Sequence, residues 1–355
     1  MNTANSIVKL IQIIGSPFEH NDDVLDLKGV ELKVLYRVAK ENRVPMLYLT
    51  KVMEKYVGKK PIIANEYQRY RKRMVKLIKS IKDLAKILGN LENIDYVFIK
   101  TLKPFPHVPS DIDVLIYASD SEGKEKLVKR LLKQGYKVDK TAYTDPRSIH
   151  LIDRYGNLID MQFEIGADYI IYVDKCRIKK HIRRNIIVYD DISANVLSPE
   201  AELVITIGHS VIPEQTFTLN EFYSILYYIN NMHHAEIDKF ISAVVENKLS
   251  IATKICIHIT KSLYENIFGY VPDKLAYLAK ALNINAIDFI FNKLCNNVTV
   301  LPCRYSVFFV LWSILEKIYD KKGLLSILKQ IVSFMNPMHV KLVLQKIAMI
   351  RSRGE

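Results

Sequence analysis

The amino-acid sequence predicts an α+β fold, in which a small mixed sheet is flanked by an N-terminal helical segment and a C-terminal all-helical domain. Apolar residues recur at three- and four-residue steps from residue 5 to about residue 89, short extended segments follow, and helical periodicity returns between 198 and 353. At roughly 150 residues per domain, 355 residues suffice for two or three packed units. We expect a helical segment at 1–94, a mixed-sheet core at 95–195 and a helical domain at 196–355.

The composition excludes several classes of protein. Apolar residues make up 49% of the chain and charged residues 25%, which excludes disordered, collagen-like and low-complexity chains. The four cysteines have no CxxC spacing, which argues against a disulfide framework or zinc knuckle and favours a reducing cytoplasm. The longest apolar stretch, Tyr305–Leu315, is shorter than the roughly 20 residues of a membrane span. We therefore expect a cytoplasmic protein without a membrane anchor, and few Gln and Cys beside many Lys are typical of thermophiles.

A formal net charge of +13 favours a polyanionic partner, and two segments concentrate the basic residues. The predicted helix at 63–88 carries eight Lys or Arg residues against Glu66 and Asp83, with apolar residues at helical spacing between them. The segment at 175–184 carries six more and is predicted as a solvated loop or helix. Each segment is either an ordinary solvated surface or a contact for RNA.

Alternation of apolar and polar residues predicts the strands of the core. A proline-rich turn separates the first two strands, and a helix at 122–133 follows them and ends near Gly135. The last two strands are joined by a glycine-containing hairpin turn at Arg154–Asn157. The C-terminal helices begin at Ser198, an N-cap residue followed by proline. The predicted strands are Asp95–Thr101, Ile112–Tyr117, Tyr136–Asp139, Ser148–Asp153 and Leu158–Glu164.

The most specific chemical feature is an Asp-x-Asp pair at the start of a predicted strand. Alternation places Asp111 and Asp113 on one face of that strand, and the apolar residues between and after them on the opposite, buried face. A third carboxylate, Asp160, lies between apolar neighbours on a later strand, where burial without a partner is costly. These three residues either hold divalent metal together or form a solvent-facing set near a strand edge.

Polar residues suited to binding phosphate oxygens lie between the first strand and the Asp-x-Asp pair. They are Lys100, Thr101, Lys103 and Ser110. A strand, a polar turn, an Asp-x-Asp strand, a helix and a later Asp-bearing strand follow one another as in enzymes of phosphoryl transfer.

This arrangement resembles the polymerase-beta-like nucleotidyltransferase superfamily, and more narrowly its uncharacterised prokaryotic nucleotidyltransferase family. The resemblance covers about residues 63–230. Its motifs are matched by Phe98–Thr101, Asp111–Leu115, Gly135–Tyr136, Ile159–Met161 and a later helix with His209. The chain departs from the superfamily at the glycine-rich turn, because no glycine stands between Lys100 and Asp111. Either the side chains of this turn bind the phosphates in place of backbone amides, or this chain is a divergent, inactive member of the superfamily.

The resemblance implies a nucleotidyltransferase core that uses two Mg²⁺ ions. Asp111 and Asp113 would bind both ions, and Asp160 would bind the catalytic one. Lys100, Thr101, Lys103 and Ser110 would bind the nucleoside triphosphate, ATP or CTP. The acceptor would be a hydroxyl group, with RNA favoured by the basic helix at 63–88 and the cluster at 175–184.

Two other functions stay open at this stage. A catalytically lapsed copy would bind RNA or a protein partner, and a member of a toxin–antitoxin pair would act on its partner.

Among the remaining polar residues, Gln162 and Glu164 either line the nucleotide site or lie on a hairpin surface. His209 is predicted as a core or supporting residue rather than a base, whereas nothing locates His107 or His150.

Overall fold

A computed structural model describes residues 3–19, 29–55, 61–91, 94–118, 121–139, 147–189, 192–284, 300–335 and 340. Within these residues the fold is α+β, with helices on both sides of a mixed sheet in the order of the chain. No described helix is both long enough and apolar enough to cross a bilayer.

Within the described residues four helices precede the sheet, in the region where a helical segment was predicted. They are α1 (Thr3–Ile14), α2 (Gly29–Glu41), α3 (Pro45–Lys55) and α4 (Pro61–Gly89). The longest, α4, buries Leu77, Ile81, Leu84 and Leu88 against the sheet, because these residues recur at helical spacing. Its basic residues lie on the exposed side of the helix.

The central sheet has seven strands. They are β1 (Asp95–Phe98), β2 (Asp111–Tyr117), β3 (Lys137–Val138), β4 (Ser148–Ile152), β5 (Leu158–Gln162), β8 (Ile182–Tyr189) and β9 (Ile192–Leu197). The strand order is β3-β4-β5-β2-β1-β9-β8, and the β2–β5 and β1–β9 pairs are parallel. A separate hairpin of β6 (Ile165–Ala167) and β7 (Ile170–Val173) follows β5 in the chain.

The remaining helices are α5 (Ser121–Lys133), α6 (Lys175–Lys179), α7 (Pro199–His209), α8 (Leu219–Asn231), α9 (His234–Glu246), α10 (Ser250–Phe268), α11 (Asp273–Ala281), α12 (Val307–Leu315) and α13 (Lys321–Ser333). Helices α4 and α5 cover one face of the sheet. The other face shares a second apolar core with α1–α3 and the helices from α7 to α12. The sheet is therefore enclosed by helices from both ends of the sequence.

The structure differs from the predicted secondary structure in two places, in part at 175–184 and in the C-terminal region. The basic segment at 175–184, predicted as a loop or helix, forms the short helix α6 and then enters the edge strand β8. Charged side chains on an edge strand oppose pairing with other chains and also hide the apolar alternation of the strand. The C-terminal region also contains a two-stranded pairing of β10 (Thr216–Phe217) with β11 (Cys303–Arg304). Gln215 adopts a left-handed conformation at φ 53°, which ends the preceding helical turn and extends the chain.

A buried lysine connects the C-terminal helices to the hairpin beside the sheet. Lys317 lies in a 3₁₀ turn (Glu316–Tyr319) between α12 and α13 and is only 2% exposed. Its Nζ donates hydrogen bonds to the carbonyl oxygens of Tyr172, at 2.7 Å, and of Asn247. One ammonium group thus joins β7, the turn after α9 and the last helices.

We predict that Lys317→Met lowers the free energy of unfolding by about 3 kcal/mol, because two buried carbonyl groups lose their hydrogen-bond donor, an amino group whose pKa burial lowers to about 7. Chemical denaturation of both proteins measures the difference. Lys321→Met, at an exposed lysine four residues away, is the matched control and should change stability by less than about 0.5 kcal/mol. Equal effects of the two substitutions would contradict this assignment.

Candidate active site

The three predicted carboxylates converge at the centre of the sheet. Strands β2 and β5 are parallel neighbours, and their register places Asp113 directly beside Asp160. One side-chain oxygen from each of Asp111, Asp113 and Asp160 lies within 4.8 Å of the others. Ile112 and Val114 pack into one apolar core and Leu115 into the other, so the predicted alternation is confirmed, although both faces of β2 are buried.

Hydrogen bonds hold these carboxylates in place. The Gln162 amide donates from Nε2 to Asp113 Oδ1 at 2.7 Å and to Asp160 Oδ2 at 2.6 Å, so it joins the two acids. His150 lies opposite Asp160 on β4, with its Nε2 3.2 Å from Asp160 Oδ1. Ser110 donates its hydroxyl to Asp111 Oδ1 at 2.6 Å. The acidic residues are therefore oriented by neighbours from β4, β5 and the loop before β2.

A lysine lies within the acidic cluster. Lys100 Nζ is 3.0 Å from Asp113 Oδ1, and its side chain is 14% exposed. Its backbone is left-handed at φ 55°, a conformation that glycine adopts more readily than any other residue. Its backbone N–H donates to the Glu202 carboxylate from α7, which holds the strained residue in place. The turn after β1 thus has the backbone conformation typical of glycine but carries an ammonium group.

The other residues predicted to bind phosphate differ in whether their side chains reach the carboxylates. Thr101 is buried, and its hydroxyl donates to the Ile99 carbonyl at 3.1 Å and accepts from the Asp113 N–H at 2.9 Å. Lys103 Nζ donates to Ser224 Oγ on α8 at 2.9 Å. Of the four residues, Lys100 and Ser110 contact the acidic cluster, whereas Thr101 and Lys103 shape the surrounding loop.

Burial and neighbouring charges shift the pKa of these groups. Burial raises the pKa of Asp113 well above its usual value, and the nearby carboxylates add to this while Lys100 partly offsets it. Burial opposes the charge of Lys100, but Asp113 and the other acids raise the pKa of its ammonium. Burial also acts against ionised Asp160, yet the contacts with His150 and the charge of Lys100 lower its pKa. Lys100 therefore stays charged and compensates part of the acidic cluster.

The donor set suits a divalent cation that prefers oxygen ligands. Carboxylate oxygens from three residues, close enough to share one ion, are the ligands that Mg²⁺, Mn²⁺ and Ca²⁺ select. The second hydrogen-bonded layer of Gln162, His150 and Ser110 is the kind that orients metal ligands. The residues present thus fit a metal ion at this position.

Sequence reasoning missed some of these neighbours. Counting back from the Arg154–Asn157 turn places His150 opposite Asp160, so the hairpin signal sufficed to locate it. Glu202 gave no local signal, because its contact with Lys100 joins residues 102 positions apart. Glu164, predicted either to line the nucleotide site or to lie on a hairpin surface, forms an ion pair with Lys322 at 3.0 Å. His209 packs edge-on against the Tyr172 ring, with centroids 6.3 Å apart.

Comparison of the chain with models of known protein families and with curated proteins finds no match.

Glu202 gives the site a pH-dependent contribution to stability. Burial raises the pKa of Glu202 to about 7, although Lys103 and the Lys100 N–H oppose the shift. An unfolded glutamate titrates near pH 4.3, so between about pH 4.3 and pH 7 the folded protein retains a proton that the unfolded chain has lost. Stability from this residue is present below that window and is lost as the pH rises through it.

We predict that Glu202→Gln removes this pH dependence, because the amide oxygen accepts the same hydrogen bond without titrating. Between pH 5 and pH 8 the natural protein should lose about 2 kcal/mol more stability than the variant. Denaturant unfolding at both pH values measures this difference. The matched control Glu246→Gln, at an exposed carboxylate, should lose stability as the natural protein does. Parallel curves for the natural protein and Glu202→Gln would rule out the buried, protonated glutamate.

Proposed function

We propose that the protein is a Mg²⁺-dependent nucleotidyltransferase that transfers a nucleoside monophosphate from a nucleoside triphosphate to a hydroxyl acceptor. The observation that carries this proposal is the convergence of Asp111, Asp113 and Asp160 on neighbouring parallel strands, beside a turn that presents Lys100. Acidic residues that hold metal beside a cation for phosphate are the parts that phosphoryl transfer requires.

The charge of the cluster indicates how the metal ions would be held. A metal ion would bind the three carboxylates in their deprotonated form. With the Lys100 ammonium they would then leave two negative charges, which one divalent cation balances. We therefore assign one ion to Asp111, Asp113 and Asp160, and expect a second ion to enter with the phosphates of the nucleotide. When bound there, such an ion would supply positive charge to the phosphates and would lower the pKa of the attacking hydroxyl.

The chain's own residues complete the reaction. The acceptor oxygen bonds to the α-phosphorus as the bond from that phosphorus to the bridging oxygen breaks, and pyrophosphate leaves. We assign Asp160 to accept the proton of the acceptor hydroxyl, with His150 and Gln162 holding its carboxylate. Lys100 and Ser110 contact the carboxylates of the cluster, and we assign them to donate hydrogen bonds to phosphate oxygens.

The two basic segments support RNA as the acceptor to different degrees. All six basic residues at 175–184 form ion pairs with carboxylates of the chain. Helix α4 instead presents a row of exposed cations, and Arg73 Nη2 donates to the Pro109 carbonyl at 2.8 Å, next to the loop that leads into β2. The basic side of α4 therefore leads towards the candidate site, and we propose that the phosphates of an RNA acceptor bind along it.

A second candidate is a lapsed enzyme that binds a nucleotide or RNA without catalysis. One observation favours it: the Lys100 ammonium occupies a position against Asp113 that a metal ion would otherwise share. The two candidates differ in the fate of a labelled nucleotide.

Incubation with each α-labelled nucleoside triphosphate, Mg²⁺ and total cellular RNA should transfer label to RNA. We predict that Asp111→Asn/Asp113→Asn lowers this transfer at least about 100-fold, because the carboxylates that hold the metal are lost. Asp95→Asn, at the start of neighbouring strand β1, is the control and should retain transfer. Nucleotide binding without label transfer to any macromolecule would decide for the lapsed enzyme.

We further predict that Lys100→Met raises the affinity for Mg²⁺ alone about tenfold, because an ammonium 3.0 Å from Asp113 no longer opposes the ion. The same variant should bind the triphosphate more weakly. Isothermal titration with metal and then with nucleotide measures both changes. Lys103→Met, whose ammonium bonds Ser224 rather than a carboxylate, is the matched control and should affect metal affinity less. A weaker metal site in Lys100→Met would contradict the assigned competition.

A further inference from the structure

The last two described helices leave an extensive apolar surface uncovered. Within residues 307–335, fourteen large apolar side chains are exposed, compared with isolated ones elsewhere in the described chain. We call this set the apolar face of α12 and α13. Its members are Val307, Phe308, Leu311, Trp312, Leu315, Ile318, Tyr319, Leu324, Leu325, Leu328, Ile331, Val332, Phe334 and Met335. Surfaces of this kind mark interaction sites rather than ordinary solvated helices.

Helix α13 is turned with its polar side inwards. It buries Gly323, Ser326 and Gln330, and its leucine residues point away from the protein. An amphipathic helix normally buries the opposite side. A Cβ atom at position 323 would lie 2.5 Å from the Lys317 carbonyl oxygen, so a glycine is needed for this close approach.

Specific hydrogen bonds fix α13 in this orientation. Gln330 accepts at Oε1 from the Tyr169 N–H at 3.0 Å and donates from Nε2 to Asp168 Oδ2 at 2.8 Å. Ser326 Oγ accepts from the Ile171 N–H at 3.2 Å. These contacts satisfy backbone groups of the β6–β7 hairpin, so rotating the helix to bury its leucines would leave them unpaired. The outward apolar side is therefore a built feature of the fold.

We propose that the apolar face of α12 and α13 binds the same face of a second copy of this chain. The exposed side chains each contribute on the order of 100 Å². Their total reaches the roughly 800 Å² per partner that a stable interface buries. A two-fold dimer is the simplest arrangement in which an apolar surface covers its own copy.

The charge distribution also fits a second copy. Among the described residues of this face, the exposed charged side chains are Lys321 and Lys329, at one end and on one flank of α13. A chain of net charge +13 repels its copy, so contact is favoured where few basic residues lie. The proposal is independent of the catalytic assignment, although Lys322 of α13 does bond Glu164, next to the strand that carries Asp160.

Sedimentation velocity and Trp312 fluorescence over one dilution series test the proposal. At high concentration the mass should be twice the 41.1 kDa of one chain. Trp312 is the chain's single tryptophan and belongs to the apolar face, so dissociation should move its emission to longer wavelength as the mass falls. A monomer at every concentration, or a dimer whose dissociation leaves Trp312 emission unchanged, would overturn the proposal.

The variant Leu311→Glu/Leu328→Glu should weaken the dimer at least about 100-fold and keep the circular dichroism of the natural protein. The matched control is Val245→Glu on α9, which is 52% exposed outside the face, and it should dimerise normally. A dimer of unchanged affinity in the double variant would place the interface elsewhere. A monomeric natural protein whose double variant unfolds would show that the chain itself covers the face. A monomer that binds anionic phospholipid vesicles would show a membrane surface.

Discussion

The parallel pairing of β2 with β5 is the constraint on which the candidate site depends. Its register sets Asp113 beside Asp160, and Asp111 two residues earlier faces the same side. Such a concentration of negative charge in a partly buried position costs folding free energy unless cations and donors accompany it. Gln162 supplies the donor and Lys100 the cation. The Gln162 amide bonds two of the carboxylates, and the Lys100 ammonium lies against Asp113.

The position of Lys100 in turn depends on the C-terminal helices. A non-glycine residue in the left-handed region is strained and persists only where its surroundings hold it. Glu202, in the first turn of α7, accepts the N–H of Lys100, and Lys103 reaches Ser224 on α8. The loop between β1 and β2 is thus held by helices that follow it by about 100 residues. We infer that these helices position the site as well as enclose the sheet.

Local patterns in the sequence predicted most of the sheet and the acidic residues, and long-range contacts account for what they missed. Alternation located β2 and β5 because Ile112, Val114, Ile159 and Met161 share one buried face while the aspartates lie on the other. The edge strand β8 was not predicted, because the charged side chains that protect a sheet edge also mask the alternation of apolar and polar residues. The contact of Glu202 with Lys100 was not predicted for a different reason. Packing of the whole chain decides which helix lies next to the turn after β1, and no local pattern shows this. The outward apolar side of α13 was equally hidden, since periodicity shows that a helix has two sides but not which one is buried.

The electrostatics of the site also bear on why the carboxylates are present. A buried ionic cluster is seldom more stable than apolar residues of similar volume, so stability alone does not explain three acids in this position. Lys100 lies against one of the acids, and the other two remain at the point where the loop bearing Ser110 is joined to the basic side of α4. An ion pair that served only the fold would need one carboxylate. Three acids that converge beside one lysine form a donor set that could hold a divalent cation, and this supports the proposed metal-dependent function over a structural remnant.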